Sequence, residues 1–341
     1  MRVTAGAADR RTVEADGREI PISHPGRVYF PALGATKGDL VDYYVAVTAA
    51  LLRAAGGRPA LLQRFPDGAD GPSFFQKRVP AGAPAWLRTA IVSTPNGTSS
   101  NALVVADLAH VLWAVNLGCL GLHLWGYHAD DPAHVDELRI DLDPQPGTGF
   151  DEARVVARHT KALLDELGIA TYPKTTGSRG IHVYARLHPR WDAVQVRAGA
   201  VALARELERR HPDLVTARWW KEERGRKVFV DFNQNAPHKT VFGAWCARPR
   251  STGQVSTPFA WDELDTIDPD AWTIATVPHR LAEVGDPWAG SDADPQSIDP
   301  LLALAAADRA AGLPDAPWPP EYPKAPGEAT RVMPSRARKE R

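Results

Sequence analysis

Sulfur is scarce in this chain: its 341 residues carry two cysteines, Cys119 and Cys246, and two methionines. Two cysteines cannot build a disulfide scaffold, and their number suits a reducing compartment. Long apolar runs are missing too. Nothing approaches the roughly 18–20 residues of a membrane span. Residues Met1–Ile20 are too polar for a signal peptide, so a soluble cytoplasmic protein without a membrane partner is expected. A net charge of −1 excludes a uniformly basic nucleic-acid binder and leaves that role to local patches. The loop G-x-x-x-x-G-K-[ST] is absent, which excludes a Walker-type nucleotide site. No internal repeat is present. What remains is globular: 44% apolar residues, 24% charged and 11 tryptophans, enough for one large domain or two small ones.

The most informative segment present is Glu137-Leu-Arg-Ile-Asp-Leu-Asp-Pro144. Leu138, Ile140 and Leu142 alternate with Arg139, Asp141 and Asp143, the period of a strand with one face in a core. Carboxylates two residues apart on one face lie roughly 6.5–7 Å apart at their Cα atoms. They can converge on divalent ions about 3.5–4 Å apart, the separation used in two-metal phosphoryl transfer. A second ribbon, Lys227-Val-Phe-Val-Asp-Phe-Asn-Gln-Asn235, places Asp231 between Val230 and Phe232. In isolation such ribbons also describe an ordinary solvated strand face. Together they point to a Mg²⁺ or Mn²⁺ nucleotide site.

Along the chain, residues 1–20 read as a frayed extension with one short strand. Thr36 is an N-cap with Asp39 three residues on, opening a helix that runs through Leu52 to the stop at Gly56-Gly57. Residues 58–95 read as strands and loops, and 104–117 as a helix with Trp113 on its apolar side. Helices are expected over 152–167, stopped by Gly168, and over 194–210. Between them, 170–187 reads as strand, glycine turn and strand. Residues 283–300 are acidic and carry Pro and Gly, the composition of a surface excursion. The segment 319–341 reads as an extended, Pro-rich basic tail. Strands and helices in irregular order favour an α+β fold over a doubly wound sheet.

Between the ribbons lies Lys174-Thr-Thr-Gly-Ser-Arg-Gly-Ile-His182. Gly177 and Gly180 permit a tight turn whose N–H groups can face an anion, with Thr176, Ser178, Lys174, Arg179 and His182 adding hydroxyls and positive charge. An ordinary hairpin turn is the alternative. Phe74 and Phe75 are adjacent on a strand and cannot both face one core. Beside Arg64, Lys77 and Arg78 they form either a stacking platform for unpaired bases or a layer contact. Trp219 and Trp220 precede Lys221, Arg224, Arg226 and Lys227, and burial is the expected role of that pair. Cys119, His123, His128 and His134 invite a zinc reading, but Cys119 sits in an apolar run and the spacing fits no knuckle, so no zinc is expected.

Assembled, these segments resemble the polymerase domain of bacterial non-homologous end-joining ligase D, within the archaeo-eukaryotic primase superfamily. The resemblance runs over about 22–338. It includes Ser23–Pro31, Thr36–Asp39, Phe74–Lys77, Asn116–Cys119, Asp136–Pro144, Thr176–His182, Val230–Asn235, Val255–Pro258 and Pro334–Arg336. It implies a primase-like core of mixed and antiparallel sheets flanked by helices, without a zinc knuckle. Two interlocked lobes would span 21–318 with the site between them. No ligase or nuclease module accompanies the matched segments, the pattern of a stand-alone relative. Two positions depart: Gln63 stands where the family has a basic residue, and Arg27 replaces a lysine while keeping the charge.

By this resemblance Asp141, Asp143 and Asp231 form the metal triad for two Mn²⁺ or Mg²⁺ ions. Asp141 and Asp143 would bridge the ions, and Asp231 would bind the one nearer the primer. Thr176, Gly177, Ser178, Arg179, His182 and Arg248 would hold an incoming NTP or dNTP, with Gln234 and His123 close by. Phe74 and Phe75 would stack on the template. Lys77, Arg64, Arg224, Arg27 and Lys37 would contact DNA, including a 5′-phosphate across a gap. The implied activity is template-directed nucleotide addition at gaps or overhanging ends, with a preference for ribonucleotides. The implied setting is a monomer at the nucleoid, with a separate DNA ligase and an end-binding protein as partners. A non-catalytic gap- or end-binding protein with a vestigial polymerase fold is the alternative; a metal-dependent nuclease is a third.

Overall fold

The computed structural model describes residues 10–94 and 97–319. The expected tail and its Pro334-Ser-Arg336 motif therefore lie outside the described residues, apart from Pro319.

The described chain opens on a hairpin rather than a frayed end. Strands β1 (Arg10–Ala15) and β2 (Arg18–Ser23) turn at Asp16 and Gly17, both at positive φ. The hairpin is held down because Ala15, Ile20 and Ile22 enter a core. Short strands β3 (Val28–Phe30) and β4 (Ala35–Thr36) lead to helix α1 (Lys37–Ala46). Thr36 caps it through a reciprocal box with Asp39, as the spacing predicts. The long helix expected through Leu52 is two: α1 ends at Ala46 and α2 spans Thr48–Ala55. The Thr48 hydroxyl donates to the carbonyls of Tyr44 and Val45, the local competition by which threonine interrupts a helix.

Strands β5 (Pro59–Arg64), β6 (Phe74–Gln76), β7 (Thr89–Ser93) and β8 (Ser99–Val104) follow, then α3 (Leu108–Asn116) and β9 (Cys119–Trp125). Next come β10 (Val135–Pro144), α4 (Phe150–Glu166), β11 (Tyr172–Thr175), β12 (Ile181–Trp191) and α5 (Ala193–Arg210). Strands β13 (Val215–Thr216) and β14 (Val228–Asp231) precede a 3₁₀ turn, Phe232–Asn235. The chain continues through β15 (Thr240–Phe242), β16 (Cys246–Ala247), β17 (Val255–Ser256), α6 (Val277–Val284) and α7 (Asp299–Ala310). The acidic excursion between α6 and α7 is anchored, since Trp288 is buried and its Nε1–H donates to the Pro173 carbonyl at 3.0 Å.

Two sheets organise this α+β fold. One has the order β11-β12-β10-β14-β13; the other runs β15-β9-β5-β8-β7, with β6 also on β5. Their pairings are antiparallel except β13 with β14. Leu138, Ile140 and Leu142 bury one face of β10 against α4 and α5. The second sheet packs on α1, α2 and α3. Trp219 and Trp220 join the first of these cores, in line with their expected burial.

The opposite face of β10 carries Glu137, Arg139, Asp141 and Asp143, and its first half clamps the two sheets together. Arg139 donates to Glu137 Oε2 through Nε (2.9 Å) and Nη2 (2.8 Å), and to the Leu124 carbonyl of β9 through Nη1 (3.1 Å). Arg58, beside β5, reaches Glu137 at 3.2 Å and Asp136 at 2.6 Å, and Arg186 of β12 also pairs with Glu137. Burial alone would push the Glu137 carboxyl up, but the three guanidinium groups hold it below its ordinary range. Removing one partner of such a group strands its charges. Glu137→Ala is expected to destabilise the fold by about 3–5 kcal/mol, read as a lower midpoint in denaturant unfolding; a shift under about 1 kcal/mol refutes the clamp.

Candidate active site

Registers on the first sheet place four ionisable side chains in one row. Lys174 opposes His182, His182 opposes Asp141, and Asp141 opposes Asp231. Neighbouring strands are about 4.8 Å apart, so residues far apart in sequence meet side by side. His182 Nε2 lies 3.2 Å from Asp141 Oδ1. Gln234, carried back by the 3₁₀ turn, donates from Nε2 to Asp141 Oδ2 (3.2 Å) and Asp231 Oδ2 (3.0 Å). Asp231 ends its strand by accepting the Asn233 N–H at 3.0 Å. Asp143, two residues along the same face, accepts from Gln145 Nε2 at 3.1 Å.

The three carboxylates sit in unequal fields. Desolvation raises Asp141, yet His182, Lys174 and Arg248 outweigh it and hold that carboxyl below its ordinary range. Desolvation and the Asp141 charge push Asp231 up to about 6 and raise Asp143 as well. A cation relieves this crowding, and all-carboxylate oxygen donors suit Mg²⁺ or Mn²⁺. As the side chains stand, no group of three or more His, Cys, Asp or Glu among the described residues is gathered tightly enough to hold an ion. The Gln234 amide N–H₂ occupies the space between Asp141 and Asp231, so its donors stand in for positive charge there.

Positive groups border the row. Lys174 is fully buried, donates to Ser256 Oγ at 2.6 Å, and is pushed down to about 7 by burial and then Arg248. Burial and Lys174 hold His182 near 4, so its imidazole is neutral at physiological pH. Donation from Nε2 to Asp141 leaves Nδ1 as the lone-pair nitrogen, and it has no partner. The turn after Lys174 folds onto itself: Thr176 Oγ1 accepts the N–H groups of Ser178 and Gly180, each at 3.2 Å. Glycine is required at both expected positions. Gly177 has φ +69, with Arg248 Cγ only 2.6 Å from where a Cβ would stand, and a Cβ on Gly180 would meet the Leu142 carbonyl oxygen at 2.6 Å. Ser178 accepts from Arg250 at 2.6 Å, whereas Arg179 is exposed and its charge lowers Asp143.

The expected DNA residues divide. Phe74 and Phe75 are both exposed, 48% and 58%, which removes the layer-contact alternative. Phe74 opposes Arg64 and Phe75 opposes Gln63, so they leave β6 on opposite faces. The Arg64 guanidinium lies 5.0 Å from the Phe74 ring centroid. Lys77 follows β6, and its charge lowers His238. Arg27, Lys37 and Arg64 line a cavity of about 140 Å³. Lys37 Nζ there donates to Ser23 O, Asn116 O and Asn116 Oδ1, each at 2.9 Å. These acceptors are neutral, and desolvation followed by Arg27 lowers Lys37 to about 8. Arg224 differs from expectation. It is buried, donating to Gln145, Arg218 O and Trp219 O, and thus backs the Asp143–Gln145 contact instead of presenting a surface charge.

The zinc quartet disperses. Cys119 Sγ contacts the Gly121 carbonyl, His128 pairs with Asp136 and His134 with Asp131. His123 lies between aromatic rings, with a buried, unpartnered Nε2. Desolvation and then Arg248 push it down to about 4. Sequence reasoning read Lys174 as part of the turn and passed over Gln145 and Ser256. Ser256 stood in a family-like segment, whereas Gln145 left no local signal.

The raised Asp231 gives a test of the acid row. A carboxyl whose folded pKa exceeds its unfolded value costs stability increasingly as pH rises between the two, and the penalty is complete above the folded value. Above pH 6 the metal-free Asp231→Asn protein is therefore expected to be more stable than wild type by about 1–2 kcal/mol. It should also lose most of the thermal stabilisation that Mn²⁺ confers. A calorimetric scan with and without Mn²⁺ checks both; equal Mn²⁺ shifts in the two proteins contradict the assignment.

A family model described as LigD, primase-polymerase domain, matches residues 36–288. The multifunctional non-homologous end joining DNA repair protein LigD of Mycobacterium tuberculosis is 33% identical over 295 residues, covering 84% of this chain and 39% of the relative. The bifunctional non-homologous end joining protein LigD of Bacillus subtilis is 30% identical over 280 residues, 82% of this chain and 45% of the relative. The solved polymerase domain from Mycobacterium tuberculosis Ligase D in complex with DNA aligns with a TM-score of 0.76 at 32% identity, covering 81% of this chain and 99% of that one. The chain thus spans less than half the length of these curated relatives. Sequence relatives and solved fold agree with the family model over the stretch bearing the acid row, and the chain belongs to the LigD primase-polymerase domain family of nucleotidyltransferases.

Proposed function

We propose that this protein adds nucleotides to a primer, directed by a template, at short gaps or broken ends during DNA repair, and that it prefers ribonucleotides. The observation that carries the reading is the row Lys174–His182–Asp141–Asp231, with a glycine turn at its basic end and acids at the other. Triphosphate and primer hydroxyl would then approach from opposite ends. The relatives' names place them in non-homologous end joining, and the solved relative was captured with DNA.

Asp141, Asp143 and Asp231 would hold two divalent ions, which when bound acidify a primer 3′-hydroxyl and neutralise the leaving pyrophosphate. The chain's own groups orient the reactants. Thr176, Arg179 and Arg248 grip the triphosphate, and negative charge arriving beside His182 favours a proton on Nδ1, turning a neutral ring into a second donor. Asp231 and Gln234 face the primer side, where a cavity of about 290 Å³ lined by Trp125, Tyr127 and His238 adjoins Gln234. Lys37, Arg27 and Arg64, which line their own cavity, would receive the 5′-phosphate at the far side of a gap. A filled gap leaves a nick, so a DNA ligase is the expected partner.

Primer extension into a short gap with a downstream 5′-phosphate, supplied with Mn²⁺ and either NTPs or dNTPs, tests the activity. Wild type should extend, faster with NTPs. Asp143→Ala should lose at least about 10³-fold in rate while retaining gap affinity. Tight gap binding without extension by wild type would return the protein to the non-catalytic reading. The phosphate cavity has its own signature. Lys37 binds an anion only when protonated, so raising pH from 7 to 9.5 should erode the affinity advantage of a phosphorylated over an unphosphorylated gap by about tenfold. Fluorescence anisotropy on the two substrates measures the ratio; a ratio independent of pH rules Lys37 out as the phosphate ligand.

A further inference from the structure

A file of aromatic rings leads from the exposed strand β6 to the glycine turn. Phe75 meets His123 edge to face, ring centroids 5.5 Å apart at 79°. His123 meets Phe242 in the same manner at 5.1 Å and 86°. The Arg248 guanidinium carbon then lies 4.1 Å from the Phe242 centroid, and Arg248 Cγ fills the place a Gly177 side chain would take. Phe242 thus touches both the imidazole and the guanidinium.

Its own position is tightly set. Phe242 opposes His123 in the β15–β9 register and is 4% exposed. It lies so close over Gly121 that a Cβ there would come within 2.4 Å of its ring. Gly121 has no Cβ to displace it. Arg248, by contrast, makes no side-chain hydrogen bond or ion pair among the described residues; its field partner is Asp141. A long side chain with so few tethers has many rotamers, and the buried ring face of Phe242 is a strong enough partner to select one.

We propose that Phe242 is a positioning residue, whose ring holds the Arg248 guanidinium and the His123 imidazole in one contact array. The triphosphate grip is then formed before a nucleotide arrives and is joined, through His123, to the template-facing Phe75. This rests on the reading of Arg248 as a triphosphate ligand.

The test replaces Phe242 with a trifluorinated phenylalanine, which nearly keeps shape and burial while stripping the ring face of its negative potential. On the gapped substrate, KM for the nucleotide should rise about tenfold with kcat within about twofold, at unchanged melting temperature and gap affinity. A monofluorinated phenylalanine at the same position, which adds a small atom but keeps most of the ring-face potential, should stay within about threefold of wild type. An unchanged KM in the trifluorinated protein overturns the proposal, as does a loss confined to kcat. Failure of the polymerase reading shows separately, as wild type that does not extend. The contact array is then read from nucleotide-induced thermal stabilisation. A smaller shift in the trifluorinated protein supports it; equal shifts in that protein and wild type, or none in either, overturn it.

Discussion

The mutual repulsion of carboxylates in adjacent strands governs the half of this molecule that carries the acid row. Asp141 and Asp231 are direct cross-strand neighbours, and two unit charges some 5 Å apart repel by about 3 kcal/mol at an effective dielectric constant near 20. Neighbouring features offset that repulsion. The strand ends at Asp231 and the chain doubles back, so that an amide from Gln234 bridges both acids. Lys174 and Arg248 flank Asp141 at the cost of lowered proton affinity in each. Arg224 is drawn into the interior behind Gln145 and Asp143.

One strand, β10, shows the contrast between structural and functional charge. At Glu137 an acid is surrounded by three guanidinium groups and is fully satisfied. Four residues later Asp141 faces another acid and a neutral imidazole. The first arrangement fixes the two sheets against each other and the second leaves a field for a ligand to complete. Perturbed groups of the second kind concentrate where chemistry is done.

Local patterns carried much of this into the sequence. Alternation marked both acidic ribbons, Thr36 and Asp39 marked a helix start, and the paired glycines marked a turn that admits no Cβ at either place. The resemblance then supplied the family. Residues whose roles depend on register were beyond local reading. Phe242 meets His123 across 119 positions because of the β15–β9 pairing, and nothing around it in the chain announces this. The composition around Trp288 reads as surface although the ring is interior, because one apolar side chain in an acidic stretch barely alters the average. Arg224 looked like a surface cation because neighbouring Lys221, Arg226 and Lys227 are cationic. Its burial follows from the ring of Phe229, 3.5 Å from its guanidinium.

The outward divergence of Phe74 and Phe75 has a mechanical corollary. Because the rings leave opposite sides of one short strand, two successive bases resting on them cannot also rest on each other. β6 would act as a wedge driven between neighbouring nucleotides. Parting a stacked step costs a few kcal/mol in a duplex and far less where the strand is already unpaired. A wedge of this kind would sort DNA by its stiffness, admitting the limp strand opposite a gap and turning away the rigid double helix.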